Sequence, residues 1–254
     1  TNINVFTDVT TQWAGVANGV LDLKVSGGFA HYSTAQYIRQ SIIMMITLST
    51  GAIIKTCGNN EHGTLGNGTT TNSTSPVTPS NSDNVKDIAI IGCGANCIKM
   101  LKTDNTLWSF GHNGQGECGN GTTTNITTPT QVLTDVESIL NDGQTSHNYG
   151  YAAQSFVKKL DKTLWSCGDN GYGQCGVGSI AATPSYAKVI LPIDEEVDLL
   201  GSYTTQDSRG ITTVITKKGN LYAWGYNAQQ GVAMSDTAKN FKIPTQFSLP
   251  FVKK

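Results

Sequence analysis

A pattern of thirteen residues returns along this chain, and little else about the sequence restricts its fold as strongly. The clearest copy is Leu107-Trp-Ser-Phe-Gly-His-Asn-Gly-Gln-Gly-Glu-Cys-Gly119. It recurs as Leu164-Trp-Ser-Cys-Gly-Asp-Asn-Gly-Tyr-Gly-Gln-Cys-Gly176, more weakly from Ile54 to Gly66, and most weakly from Leu221 to Ala233. Anchored on Gly58, Gly111, Gly168 and Gly225, the copies are spaced by 53, 57 and 57 residues. Two positions after each anchor stands an asparagine: Asn60, Asn113, Asn170 and Asn227. Glycine and asparagine both tolerate left-handed backbone angles, so Gly-x-Asn predicts a fixed turn at a strand end. Five and eight positions after the anchor the first three copies have glycine again, whereas the fourth has Gln230 and Ala233.

Each anchor follows two apolar runs separated by a turn-prone pair: Gly51-Ala52, Asp104-Asn105, Asp161-Lys162 and Lys218-Gly219. Such pairs predict tight two-residue β-hairpins. After the glycine loop comes a Thr/Asn/Ser-rich stretch, then a proline (Pro76, Pro129, Pro184, Pro244) in a short β-prone run. A further apolar run opens at Val85, Val136 and Val197, with Val20 equivalent. The expected fold is all-β: a propeller-like array of four-stranded blades, about four repeats, either incomplete or closed by its end strands. The units run over about 20–84, 85–135, 136–196 and 197–254, after an N-terminal strand segment at 1–19. Circular closure would have Gln246 to Val252 complete the sheet begun by the first unit; pairing with a neighbouring molecule is a second way to cover the end strands, and a third is that the chain is a portion of a longer protein.

With 14% charged residues, a net charge of −1 and no lysine or arginine run longer than two, the chain lacks the concentrated positive charge that nucleic-acid binding needs. The apolar run Ile42 to Leu48 is too short to span a membrane. The six cysteines show no disulfide framework. Cys57 and Cys167 share a repeat position with Phe110 and Trp224, and Cys118 and Cys175 share one with Leu65 and Val232, so all four read as reduced core fillers. Cys93 and Cys97 form the single close pair, without the spacing or the second pair of a zinc site. His31, His62, His112 and His147 stand near turns, where loop hydrogen bonding is expected, and Trp108 and Trp165 read as packing residues. No nucleophile elbow, phosphate-binding glycine loop or helical carboxylate pair is present, so no catalytic, cofactor or metal residue is assigned and no enzyme is expected.

These residues resemble the regulator of chromosome condensation repeat family, most specifically at Leu107–Gly119 and Leu164–Gly176. The resemblance covers about Val20 to Val252 and implies a β-propeller of four-stranded blades, usually seven, of which four and a fragment are visible here. It also implies several functions: nucleotide exchange on a small GTPase, chromatin binding, light sensing and enzyme inhibition. Fold alone does not choose among them. For an exchange factor, the segments Asn141–Gly150 and Ser202–Gly210 are the candidate protrusions. The near-duplicate loops Asn67–Asn72 and Asn120–Asn125 each hold two Asn-x-Ser/Thr acceptors, and their uncharged hydroxyl-rich surface suits wet contacts with a partner. The expected function is a non-enzymatic structural or protein-binding module. It would be an exposed particle, virion or cell-surface component that binds a protein partner or copies of itself through end strands.

Overall fold

The computed structural model describes residues 20–28, 41–48, 51–92, 96–140, 154–204, 209–227 and 240–247. Sixteen strands and no helix are formed by these residues. They build four antiparallel sheets of four strands, each a simple meander. The first sheet holds β1 (Val20–Gly28), β2 (Ser41–Leu48), β3 (Gly51–Gly58) and β4 (Ser73–Val77). The second holds β5 (Val85–Ile91), β6 (Cys97–Lys102), β7 (Leu107–Gly111) and β8 (Ile126–Leu133). The third holds β9 (Val136–Ile139), β10 (Gln154–Lys159), β11 (Leu164–Gly168) and β12 (Thr183–Lys188). The fourth holds β13 (Val197–Thr204), β14 (Gly210–Thr216), β15 (Leu221–Gly225) and β16 (Phe241–Phe247).

The period of the apolar residues explains this layering. Central strands such as β6 are buried on both faces, because a sheet lies on each side. Fourth strands such as β8 are only partly buried and carry the repeat prolines, which an edge strand tolerates. The core lies between sheets rather than within one. Ile43, Ile54, Ile88 and Ile98 fill the space between the first two sheets. Leu101, Val136, Val157 and Tyr186 fill the next space, and Phe156, Val197, Val214 and Trp224 the third. Successive sheets also meet through their first strands, β5 packing against both β1 and β9.

Three hairpins differ from the two-residue form expected. Lys102 N bonds Thr106 O while Asn105 N bonds Lys102 O, and Asn105 has a φ of 65°. The same bonds recur at Lys159–Thr163 with Lys162 at φ 68°, and at Thr216–Asn220 with Gly219 at φ 80°. Each is a three-residue loop in which a type I turn is followed by one left-handed residue. In the first two of these loops Asp104 and Asp161 also accept hydrogen bonds from the backbone N–H of Thr106 and Thr163. In the first sheet Gly51 and Ala52 lie inside β3, paired with Leu48 and Thr47, rather than in a turn. Gln246 and Phe247 pair with Tyr222 and Leu221 in the fourth sheet, and β1 pairs with β2. The remainder of that segment, 248–252, lies outside the described residues, as do residues 1–19, the patch 141–150 and the fourth-copy positions Gln230 and Ala233.

Candidate functional site

The four anchors, Gly58, Gly111, Gly168 and Gly225, end the third strand of their sheets with φ near 105°. The asparagines do something other than expected. Asn60, Asn113, Asn170 and Asn227 are fully buried, and none has a positive φ. Asn113 Oδ1 accepts from Cys118 N at 2.9 Å, while its Nδ2 donates to Thr122 O at 2.9 Å and Thr124 O at 3.0 Å. Asn60 repeats these bonds with Leu65 N, Thr69 O and Thr71 O, and Asn170 with Cys175 N, Ser179 O and Ala181 O. One amide therefore replaces the backbone pairing that a loop lacks, and holds three loops in the same path. Asn72 and Asn125, read as glycosylation acceptors, direct Oδ1 to the backbone N–H of Asn60 and Asn113.

The loop glycines fasten each sheet to the next. A Cβ on Gly63 would stand 2.7 Å from Thr127 Cα, on Gly116 2.4 Å from Pro184 Cα, and on Gly173 2.8 Å from Lys242 Cα. Backbone bonds cross the same seams, from Gly68 N to Thr127 O, Gly121 N to Pro184 O and Gly178 N to Lys242 O. The indole of Trp224 is fully buried, lies against Gly176 and donates to Gln174 O at 2.8 Å. Trp108 and Trp165, expected in packing roles, are half-buried and pack against the cores between the sheets. Their Nε1 atoms donate to Thr106 Oγ1 and Thr163 Oγ1, and Lys102 and Lys159 lie over their rings at 4.5 and 5.0 Å.

Two features of the second sheet were missed by the sequence reading. Cys97 and Cys118 are disulfide-bonded, with Cα atoms 5.7 Å apart, which corrects the assignment of Cys118 as a reduced filler. Cys97 sits opposite Gly111 in the β6–β7 ladder, and the Asn113 loop folds Cys118 back onto it. Cys93, its sequence neighbour, lies outside the described residues. His112, expected to make loop hydrogen bonds, is hydrogen-bonded to Glu117 Oε1 of its own loop and is buried. His62 stays partly exposed, its Nδ1 bonded to Asn125 Nδ2 and its ring edge-on to His112.

The second feature is Lys99, fully buried between the second and third sheets. Its Nζ donates to Ser109 Oγ, Glu117 O and Cys118 O at 2.9 to 3.0 Å and lies 5.1 Å from the Tyr186 ring. Burial lowers its pKa to about 8, with Cys167 and Glu117 pulling the other way. In the unfolded chain lysine keeps its proton up to its ordinary value of 10.5. Between those limits the unfolded state binds more protons, so this group makes stability rise with pH. Buried Cys167, raised to about 11, and Cys175, raised further, act oppositely above their ordinary value of 9. The expected result is a wild-type minus Lys99→Met stability difference that grows by about 1 kcal/mol from pH 8 to 9 in urea melts. A flat difference would refute it.

The outward face of the fourth sheet is open. Lys99, Phe156 and Thr213 hold equivalent positions, opposite Ser109, Ser166 and Ala223. The first two are fully buried by the following sheet, whereas Thr213 is exposed. Leu101 and Ile215, opposite Leu107 and Leu221, are likewise equivalent, yet Leu101 is 1% exposed and Ile215 40%. Leu199 beside Ile215 is 62% exposed.

Four repeated meanders, stacked face to face and stapled by glycine loops, define a β-propeller blade array. The family model described as Regulator of chromosome condensation (RCC1) repeat matches residues 56–98 and 104–140. An RCC1 repeat-containing protein of Dictyostelium discoideum is 26% identical over 202 residues, 74% of this chain and 39% of that protein. The X-linked retinitis pigmentosa GTPase regulator of Mus musculus is 23% identical over 166 residues, 64% of this chain and 15% of that protein. Among solved structures, yeast RCC1 (Prp20) bound to Kap60 superposes with a TM-score of 0.59 at 20% identity, over 86% of this chain and 50% of that one. Human WBSCR16 superposes at 0.60 and 17% identity, over 82% and 50%. The chain thus spans half or less of the length of these proteins. It carries regulator of chromosome condensation repeats, and its fold is the all-β blade array of that family.

Proposed function

We propose that this chain is a non-enzymatic protein-binding module that associates with a second copy of itself through the outward face of its fourth sheet. The observation that carries this reading is the contrast at equivalent positions: Leu101 is covered and Ile215 is not. Three internal seams already use this face, so a first sheet from another copy extends the same contact head to tail. The low charge of the chain and its hydroxyl-rich loops support an exposed setting, as a particle or surface component. Light scattering across a concentration series tests the reading. A defined oligomer or a growing polymer is expected, with Leu199→Glu plus Ile215→Glu shifting it to monomer. A wild-type monomer at every concentration would overturn it.

A second reading is supported by the relatives' names. One relative is a GTPase regulator, and the Saccharomyces cerevisiae Prp20p structure, with a TM-score of 0.59 at 20% identity over 49% of that chain, concerns its binding properties to Gsp1p and histones. Nucleotide exchange on a small GTPase would show as faster release of fluorescent GDP from a recombinant GTPase when this chain is added. Acceleration would put this reading first. Of its candidate segments, 202–204 belong to β13, 210 opens β14 and 205–208 lie outside the described residues.

A further inference from the structure

Two of the loops that cross a seam carry Asn-Gly at the crossing point, Asn67-Gly68 and Asn120-Gly121. The third loop has Val177-Gly178 there, and Gly178 N makes the same bond to the next sheet. The crossing itself therefore does not require asparagine. No residue of either Asn-Gly step belongs to the open face at Leu199, Thr213 and Ile215.

In both loops the amide oxygen gathers three donors. Asn120 Oδ1 accepts from Asn113 Nδ2 at 3.0 Å, Thr122 N at 3.1 Å and Thr122 Oγ1 at 2.9 Å. Asn67 Oδ1 accepts from Asn60 Nδ2 at 3.3 Å, Thr69 N at 3.2 Å and Thr69 Oγ1 at 2.9 Å. Donors converging on a carbonyl oxygen stabilise the oxyanion that forms when a nucleophile adds to its carbon. The nucleophile next along the chain is the backbone nitrogen of the glycine, which has no side chain to hinder ring closure. In the folded chain that nitrogen is engaged elsewhere: Gly68 N donates to Thr127 O at 2.9 Å and Gly121 N to Pro184 O at 2.8 Å. The electrophile is held by its own loop, and the nucleophile by the neighbouring sheet.

We infer that Asn67 and Asn120 are sites of spontaneous deamidation gated by the seams between sheets. When a seam opens, the glycine nitrogen gives its proton to solvent and attacks Cγ of the asparagine, closing a five-membered ring. The Cγ–Nδ2 bond breaks, and Nδ2 takes up a proton and leaves as ammonia. Water then opens the succinimide, giving aspartate from one carbonyl and isoaspartate from the other. Isoaspartate routes the backbone through the former side chain and lengthens the step before the glycine. Gly121 N then no longer meets Pro184 O in register, so the modification holds the seam open. Asn113-Gly114 and Asn170-Gly171 have the same dipeptide but are spared. Both asparagines are fully buried, with Nδ2 tied to loop carbonyls, and Gly171 N is bonded to Asp169 Oδ1 at 3.2 Å.

Peptide mapping by mass spectrometry, on the full chain aged at mildly alkaline pH, tests this. Folded wild type is expected to deamidate at Asn67 and Asn120 at least about tenfold more slowly than free peptides spanning the two loops, because reaction awaits opening. Gly116→Ala puts a Cβ 2.4 Å from Pro184 Cα and forces that seam apart. It should speed reaction at Asn120 about tenfold and leave Asn67 unchanged. Gly63→Ala, whose Cβ would stand 2.7 Å from Thr127 Cα, should do the reverse. A variant that does not fold is replaced by wild type in urea below its unfolding transition, where Asn67 and Asn120 should accelerate while Asn113 and Asn170 stay intact. Adding Thr122→Ala to Gly116→Ala removes one donor from Asn120 Oδ1 and should slow that site about fivefold. Native rates equal to those of the peptides, variants that speed both sites alike, or no slowing by Thr122→Ala would overturn the inference.

Discussion

Replacing Gly111 by alanine is expected to cost about 4 kcal/mol or more, lowering the melting temperature by roughly 10 °C. Two effects add. The residue sits at φ +105°, where a Cβ is strained, and that Cβ would stand 2.2 Å from Asn96 O. The carbonyl cannot retreat freely, because it accepts from His112 N at 2.9 Å, a bond that starts the loop. Gly219→Ala separates the two effects. Gly219 has a φ of +80° but nothing within 4 Å of the added carbon, so strain alone should cost about 1 kcal/mol. Thermal melts of both variants decide the matter. Equal losses would mean that backbone preference alone sets the cost and that the close approach to Asn96 is inconsequential.

The glycine register was readable because it repeats. Each anchor serves one backbone geometry, and a requirement met four times leaves four marks in the sequence. Val20, Val85, Val136 and Val197 were readable for a similar reason, as each opens the first strand of its sheet, and the last three are buried in the cores between sheets. The role of the asparagines was not readable. Left-handed turns and buried amide hubs use the same residue, and the bonds of Asn113 reach residues nine and eleven further on. Lys99 stands where another copy has Phe156, so periodicity predicts burial but not the three oxygens gathered beneath its ammonium. The Cys97–Cys118 bond was hidden by the same logic that revealed the repeat. Leu65 occupies the position of Cys118 in the first copy, which made an apolar filler the economical reading.

Asn113→Asp changes one atom, yet it is expected to destabilise the fold more than Asn113→Ala. Alanine removes the amide and leaves Cys118 N, Thr122 O and Thr124 O short of a partner at a buried site, for about 2 to 3 kcal/mol. Aspartate keeps the acceptor for Cys118 N but turns the donor into an oxygen facing Thr122 O, Thr124 O and Asn120 Oδ1, all within 3.0 Å of the present Nδ2. A carboxylate there is fully buried and its second oxygen faces carbonyl and amide oxygens, so a loss of about 4 kcal/mol at pH 7 is expected. These surroundings raise the folded-state pKa of the new acid above its unfolded value, so as pH falls from 7 to 5 the folded state takes up a proton that the unfolded state does not. Once protonated, the acid donates one hydrogen bond to a loop carbonyl, and the variant recovers stability relative to the wild type. Asn113→Ala has no such group, and its deficit should stay constant over the same range. Urea melts at pH 5, 6 and 7 read both differences. A deficit for Asn113→Asp that does not shrink on acidification, or that is smaller than that of Asn113→Ala at pH 7, would show that the amide nitrogen does not organise the loop.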